Sequence, residues 1–395
     1  MRFQKEDEMN IAHFETSLNM GGQELRILEQ IQWLLRKNHS AWLLAREDCA
    51  IYREAVKRGL LAYPIPFRGS VNPLAISEVI RFAKRERIDI IDCHSCTAIS
   101  TAMWVRILGI PVVRTLHVYA FHRNLTHKYL WRYGTDHVIV VSQGIAEYLQ
   151  ELGFADKDKI SVIPTGIDLN RFRPDVDGRH VRRELNISDS TKVISIIAMI
   201  RPDKGHKYFL RAVDSIADAW PDVRFLIVGS ATQPAYLEDT EKEIRALRHR
   251  DKVILTGFRK DVENLIAASD VVVNSSPLEP RSQVIHQAFA MKKLVVASNR
   301  GGNEDSISDG ETGFLFRSED VGSLSQTILS VIDNETSQIR ERAYNRALSD
   351  YSDNRMMART LRVYRDALQT RKALQSQLHG VAYSLARKHL GTRRY

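Results

Sequence analysis

Cysteine is scarce: Cys49, Cys93 and Cys96 are the only three in 395 residues. An odd, low count excludes a disulfide framework and suits a reducing compartment. Cys93-His94-Ser95-Cys96 has C-x-x-C spacing, but no second ligand pair of matching spacing accompanies it. Two small buried residues at a strand-to-helix turn are therefore preferred to a zinc or redox site. No apolar run approaches the roughly 18 residues that suggest a membrane span. Residues 1–8 are charged and lack an apolar core segment, so they read as a disordered extension ahead of the first strand, not as a signal peptide. Short-period repeats and low-complexity tracts are missing. No G-x-G-x-x-G follows the first strand of either half, which disfavours a dinucleotide dehydrogenase. No Asp-x-Asp pair ends a strand and no histidine cluster has ligand spacing along the chain, so neither a metal nor any other cofactor is expected.

What is present is a soluble-type composition, 44% hydrophobic and 27% charged, in a chain too long for one core. Apolar, β-branched runs alternate with helical patterns from end to end. Strands are predicted at 11–14, 41–45, 60–65, 88–92, 112–116, 138–141 and 161–163, and again at 192–198, 224–228, 253–256, 270–274, 294–298 and 314–316. Helical patterns fall between them, among them 22–37, 73–87, 97–108, 143–152, 207–219, 237–247, 262–267, 282–291 and 322–333. Strands apolar on both faces in regular βα alternation imply doubly wound parallel sheets. A turn-rich stretch at Pro164–Asp175 interrupts the alternation. The predicted organisation is an α/β fold of two Rossmann-like domains, 9–172 and 173–350, followed by a helical section, 351–395.

The run from Ser275 to Gly313 holds the most functional information. Ser275-Ser276-Pro277-Leu278-Glu279-Pro280 ends a strand, a helix and a strand follow, and then come Gly301-Gly302 and Asp309-Gly310-Glu311-Thr312-Gly313. Loops at strand C-termini, opposite helix N-termini, are where such a domain holds phosphorylated ligands. Arg201-Pro202-Asp203-Lys204-Gly205 forms a similar turn ahead of a helix. Met20-Gly21-Gly22 occupies the equivalent place after the first strand, where glycine lets backbone N–H groups approach a ligand.

In order and spacing these segments resemble the retaining glycosyltransferases of family 4, whose two-domain fold is termed GT-B, with the domains facing a cleft. Thr115-Leu116-His117, Val141-Ser142, Ile163-Pro164-Thr165-Gly166-Ile167-Asp168, Phe172-Arg173-Pro174, Val228-Gly229 and Thr256-Gly257 add to the match. The resemblance covers roughly 9–350 and is strongest over 192–316. It implies transfer of a hexose-type sugar from a UDP- or GDP-linked donor to a hydroxyl of a glycan or lipid-linked acceptor, as in cell-surface polysaccharide or lipopolysaccharide synthesis. Catalysis would be metal-independent, by front-face attack with retention.

By the same resemblance, Lys204, Glu279 and His117 are the catalytic candidates. Lys204 would place a cation on the diphosphate, Glu279 would lie over the donor sugar, and His117 would contact the sugar near the reacting carbon. Gly21, Gly22, Arg201, Gln287, Gly301, Gly302, Glu304 and Asp305 are donor-loop candidates, and His94 is the acceptor-side candidate. Two positions depart from the family. Met199 stands where an arginine is usual, with Arg201 as substitute, and Gln287 replaces the second acid of the E-x7-E pair. An amide accepts one hydrogen bond and donates one where a carboxylate would accept two. These departures keep a non-catalytic scaffold of the same fold in view. An inverting enzyme or a sugar-nucleotide epimerase is the other alternative.

The charge is uneven. The chain is +9, and from Arg355 onward there are ten Lys or Arg against one acid, Asp366, so residues 1–354 sum to zero. Leu374, Leu378, Val381, Leu385 and His389 recur at helical spacing among the basic residues, interrupted by Gly380. The plain reading is a closing helix over about 354–370 that returns to the first domain and ends in a solvated basic tail. The sharper reading is that 355–395 lies on an anionic membrane surface. The aromatic-basic stretch from Val118 to Tyr133 is a second contact in that view. With no recognised motif and a neutral body, a nucleic-acid partner is not expected. The location expected is cytoplasmic, peripheral on the inner face of the membrane.

Overall fold

The structure is a computed structural model and describes residues 8–18, 20–67, 72–95, 98–119 and 125–391, without the side chains of 125–127, 130 and 378–391. Most of the predicted extension, Cys96, part of the aromatic-basic stretch and the last four residues of the tail lie outside these limits. So do the apolar side chains of the tail from Leu378 on.

Two compact units emerge. The first takes the chain up to Val141, Ile145–Ile163 and everything from Met357; the second takes Ser142–Gly144 and Pro164–Met356. The first unit contains β1 (Asn10–Glu15), α1 (Gly22–Arg36), β2 (Ser40–Ala45), α2 (Ala50–Lys57), β3 (Ala62–Pro64), α3 (Pro73–Arg85) and β4 (Ile90–Cys93). It continues with α4 (Ile99–Val105), β5 (Val112–Leu116), α5 (Leu125–Gly134), β6 (His137–Val140), α6 (Gln143–Glu151) and β7 (Ile160–Val162). Its seven strands order as β3-β2-β1-β4-β5-β6-β7, and every described pair is parallel. The winding direction reverses between β1 and β4, so the loops after these two strands part and open a crevice at their C-terminal ends. Turn chemistry sets the helix starts: Asn72 caps α3, its Oδ1 accepting from Leu74 N–H at 3.1 Å, with Pro73 in the first helical position.

The second unit contains α7 (Arg179–Glu184), β8 (Lys192–Ile197), α8 (His206–Ala219), β9 (Val223–Val228), α9 (Pro234–Ala246), β10 (Val253–Gly257) and α10 (Val262–Ala268). Then come β11 (Val271–Asn274), α11 (Gln283–Ala290), β12 (Leu294–Ser298), α12 (Gly302–Ser306), β13 (Phe314–Phe316), α13 (Val321–Val331) and α14 (Ser337–Asp350). Its parallel sheet orders as β10-β9-β8-β11-β12-β13 and reverses between β8 and β11. Val271–Val273 on β11 and the whole of β12 are buried, as strands covered by helices on both faces must be.

The chain leaves the first unit directly after β7, ahead of the expected boundary at 172. Ile167 and Phe172 are buried in the second unit's core beside Leu265 and Phe289, and Ile167 N–H donates to Tyr351 O at 2.8 Å. The closing helix is longer than expected. α15 runs Asp353–Gly391, unbroken at Gly380, and from Met357 it belongs to the first unit. One glycine in a helix interior costs only about 1 kcal/mol, too little to end it. Among the described residues, α2, α5, α7 and α12, each of ten residues or fewer, and the longer α14 were not predicted as separate helices.

Candidate functional site

In the second unit the chemistry gathers at the β8/β11 reversal. Past the end of β8 the chain forms a tight helical turn, Pro202–Lys204. Past β11 it forms the loop that carries Glu279. Lys204 Nζ donates to both carboxylate oxygens of Glu279, at 3.1 and 2.9 Å. Ser276 Oγ donates to Glu279 Oε2 at 2.8 Å, and Asn274 Nδ2 stands 3.5 Å from the same oxygen. The carboxylate side chain is 4% exposed and that of Lys204 18%, so both charges are largely withdrawn from water and each fixes the other. Lys204 is not a solvated turn lysine.

Two glycines allow this approach. Gly205 sits at φ 72°, and a Cβ there would lie 1.9 Å from Ser275 O. Gly301 sits at φ 71° with Glu279 O 2.5 Å from where its Cβ would be, while Gly302 N–H donates to that same oxygen at 2.7 Å. The Gly301-Gly302 segment is thus stitched to the Glu279 loop and starts α12 directly.

The other donor-loop candidates are more dispersed. Arg201 pairs with Asp203 in its own turn at 2.8 Å. Gln287 lies on α11, with its Oε1 buried and unpartnered among the described residues. Glu304 is exposed. Asp305 lies 3.6 Å from Arg281, and its backbone oxygen accepts from Arg346 at 2.8 Å. His286, next to Gln287, is fully buried, stacks on Tyr351 at 3.7 Å and has its pKa held well below the ordinary value by burial. It is a packed residue. Sequence reasoning overlooked Arg281. Its side chain is 4% exposed, lies over Tyr351 at 5.2 Å, and burial lowers its pKa. Two positions after Glu279 in a polar loop, it carried no signal to separate it from a surface arginine.

In the first unit Gly21 N–H donates to Glu24 Oε2 at 2.8 Å as α1 begins. That amide is engaged by the helix's own first turn. Behind this loop, Glu15 at the end of β1 is fully buried and accepts from Thr16 N–H, Ser17 N–H and Gln23 Nε2 at 2.6, 2.7 and 2.5 Å. Burial raises its pKa to about 7 against the lowering effect of these donors.

His94 and His117, the two histidine candidates, are neighbours: His94 Nδ1 and His117 Nε2 lie 3.3 Å apart. His94 Nε2 in turn meets His13 Nδ1 at 3.0 Å. Asp92 on β4 lies alongside, with its oxygens accepting from Thr115 Oγ1 at 2.8 and 3.0 Å and from Tyr364 of α15 at 2.5 Å. His13, Asp92 and His94 approach one another closely enough to hold one ion, a convergence that linear spacing did not show. Arg26 and Arg114 bring positive charge to the same place, and Thr115 and Tyr364 already engage the only carboxylate, so the set suits hydrogen bonding better than a cation. The available signal for His13 and Asp92 was a polar residue inside an otherwise apolar buried strand. Cys49 and Cys93 are buried thiols.

The basic end is partly engaged. Arg359 donates to Val162 O at 2.7 Å and Arg371 to Arg106 O at 2.8 Å, so these two cations pack the helix on the first unit. Arg355, Arg362 and Lys372 are exposed. Among the described residues no helix is long and apolar enough to cross a membrane.

Two family models match the chain, one described as Glycosyltransferase Family 4 over residues 20–171 and the other as Glycosyl transferases group 1 over 178–349. The chain is 28% identical over 279 residues to the UDP-Gal:alpha-D-GlcNAc-diphosphoundecaprenol alpha-1,3-galactosyltransferase of Escherichia coli, a match spanning 67% of this chain and 72% of that one. A glycosyltransferase structure from Rickettsia africae superposes with a TM-score of 0.84 at 23% identity, over 92% of this chain and 99% of the other. Anabaena HepE, solved with UDP-glucose, superposes at 0.78 with 23% identity, over 93% and 100%. The fold is that of these proteins.

Proposed function

Since the chain belongs to glycosyltransferase family 4, with the GT-B fold, we propose that this transferase moves a hexose from a UDP-sugar to a hydroxyl of a lipid-linked glycan, with retention at the anomeric carbon. The observation that carries the reading is the Lys204–Glu279 pair at the β8/β11 reversal. A diphosphate entering there meets a cation whose direction is already set. The leaving group gains negative charge as the sugar–phosphate bond breaks, so a preorganised cation stabilises the transition state more than the ground state.

Glu279 has a second task in this reading. It orients Lys204 until the diphosphate arrives, and then it is freed to accept from sugar hydroxyls above the donor. Lys204 supplies the positive charge that meets the diphosphate. The acceptor hydroxyl attacks on the face the diphosphate leaves, and its proton passes to the departing phosphate oxygen, so charge and atoms balance with no added base. His117 is assigned to the sugar and His94 to the acceptor side. The uridine choice and the polyprenyl-type acceptor are supported by the donors and acceptor in the names of the similar E. coli and Anabaena proteins. A lipid-linked acceptor also gives a use to the exposed cations of α15 on an anionic membrane surface.

The test begins with unfolding temperature in the presence of UDP, GDP, ADP and CMP. UDP should raise it most, because a ligand of the native state stabilises by mass action. Transfer from UDP-galactose and UDP-glucose to a polyprenyl-diphosphate-linked GlcNAc acceptor follows, with the anomeric configuration of the product read by NMR. A β-linked product from an α-linked donor would establish inversion. If no nucleoside diphosphate raises the midpoint, the reading fails.

A further inference from the structure

Three histidines, His13 within β1 and His94 and His117 just past β4 and β5, form a single file in the first unit. His13 Nδ1 meets His94 Nε2 at 3.0 Å, and His94 Nδ1 meets His117 Nε2 at 3.3 Å. The first two rings lie edge to edge and nearly coplanar, with 5.3 Å between centroids and 19° between planes, and the second two lie 5.6 Å and 32° apart. His13 is fully buried, His94 is 3% exposed, and His117 at the other end is partly exposed. Burial keeps all three neutral, with the pKa of His13 at about 3 and those of the other two well below ordinary.

A neutral imidazole has one N–H and one lone pair. His94 uses both nitrogens in the file, so it donates to one neighbour and accepts from the other. The two ring–ring bonds must then run in the same sense, and whatever fixes one end fixes the other. The buried end decides. His13 Nε2 is enclosed and meets no partner among the described residues. A buried N–H without a partner is rarer than an acceptor left unfilled. His13 therefore carries its proton on Nδ1 and gives it to His94 Nε2, and His94 gives its own from Nδ1 to His117 Nε2. The charged groups facing the file are Asp92 on β4, Arg26 on α1 and Arg114 on β5. Asp92 Oδ2 stands 4.0 Å from His13 Nδ1 and 3.6 Å from His94 Nε2, and either sense puts one N–H in the junction it faces.

We propose that His13 and His94, with Asp92 held by Thr115 and Tyr364, are positioning residues that lock His117 in its Nδ1–H tautomer, so that the imidazole presents a hydrogen-bond donor to a sugar oxygen at the end of β5. The functional half of this rests on His117 as a sugar contact; the tautomer itself does not. The full chain, labelled with 15N-histidine and observed by long-range 1H–15N correlation, should show His94 and His117 as single Nδ1-protonated species at neutral pH. An Nε2-protonated His117, or a mixture of tautomers there, overturns the proposal without any variant having to fold. His94→Leu removes both bonds and should lower kcat for UDP release from UDP-galactose about tenfold with KM little changed. His94→Asn, which keeps an amide at the Nδ1 position, should recover most of that loss, and equal losses in the two variants count against the lock. If the spectra are as expected but His117→Ala turns over at the wild-type rate, the tautomer stands and the sugar contact falls.

Discussion

The hydroxyl of Tyr364 donates to Oδ2 of Asp92 at 2.5 Å, both groups fully buried, and ties α15 to the end of β4 across most of the chain's length. Burial raises the pKa of the Asp92 carboxyl, and this hydrogen bond opposes the shift. Tyr364→Phe deletes a bond to a charged acceptor and leaves the rest of the ring in place. It should lower stability by about 1.5–3 kcal/mol, read as a shift in the urea midpoint at constant slope. No shift would mean that the carboxyl is held by Thr115 alone.

Lys204→Met should act on stability and turnover together. It leaves the nearly buried Glu279 without its cation, at a cost of about 2–4 kcal/mol once the partial exposure of Lys204 is allowed for. Glu279→Gln added to it should recover part of that loss, because the uncompensated charge is gone. Turnover should not recover: it should remain at least about a hundredfold down in both, since the leaving diphosphate still lacks its cation. Thermal denaturation and UDP release measured on the two variants test this directly.

The buried histidines predict a steep loss of stability in acid. Their folded pKa values lie below the unfolded value, so the stabilisation is present above about 6.5 and declines as pH falls, each histidine contributing roughly 1.4 kcal/mol per pH unit while it remains neutral in the fold. Glu15 works in the other sense. Its carboxyl is raised from 4.5 to about 7, so its contribution is full below 4.5 and is lost as pH rises through 7. Glu15→Gln should remove that opposing limb between about pH 4.5 and 7, so the loss of stability toward acid becomes steeper. Unfolding free energy followed from pH 5 to 8 in both proteins distinguishes the two limbs.

Gly205→Ala is expected to be among the most damaging single methyl additions. The residue has φ 72° and the new Cβ would meet Ser275 O at 1.9 Å, so the Lys204 turn must move away from the Glu279 loop. A destabilisation of at least about 2 kcal/mol should accompany loss of any UDP-induced rise in unfolding temperature.

Vesicle binding separates the cations of α15 by role. The full chain should sediment with phosphatidylglycerol vesicles at low salt and be released at high salt. Reversing the exposed Arg362 and Lys372 to Glu should weaken binding at least about tenfold. Arg371→Gln should mainly lower stability, because that guanidinium is bonded to Arg106 O. Absence of sedimentation in the wild-type protein would remove the membrane from the functional reading.

Periodicity alone determined the class of this protein. Strands such as β5, β12 and β13 were bounded to the residue, because short β-branched or aromatic runs set between turn residues mark a strand locally. The loop candidates Lys204, Glu279, Gly301 and Gly302 were also legible, since turn chemistry and order along the chain mark them. What the sequence could not supply was partnership. Lys204 and Glu279 are 75 positions apart and Asp92 and Tyr364 are 272 apart, and these partners meet only because the strand order, not the chain order, sets which loops are adjacent. The histidine file shows the same limit. His94 and His117 stood out as residues beside strands, but His13, inside a strand, gained its meaning when folding placed it against them in an interior from which water is excluded. Burial then decided their protonation, and no pattern of residues along a chain carries that information.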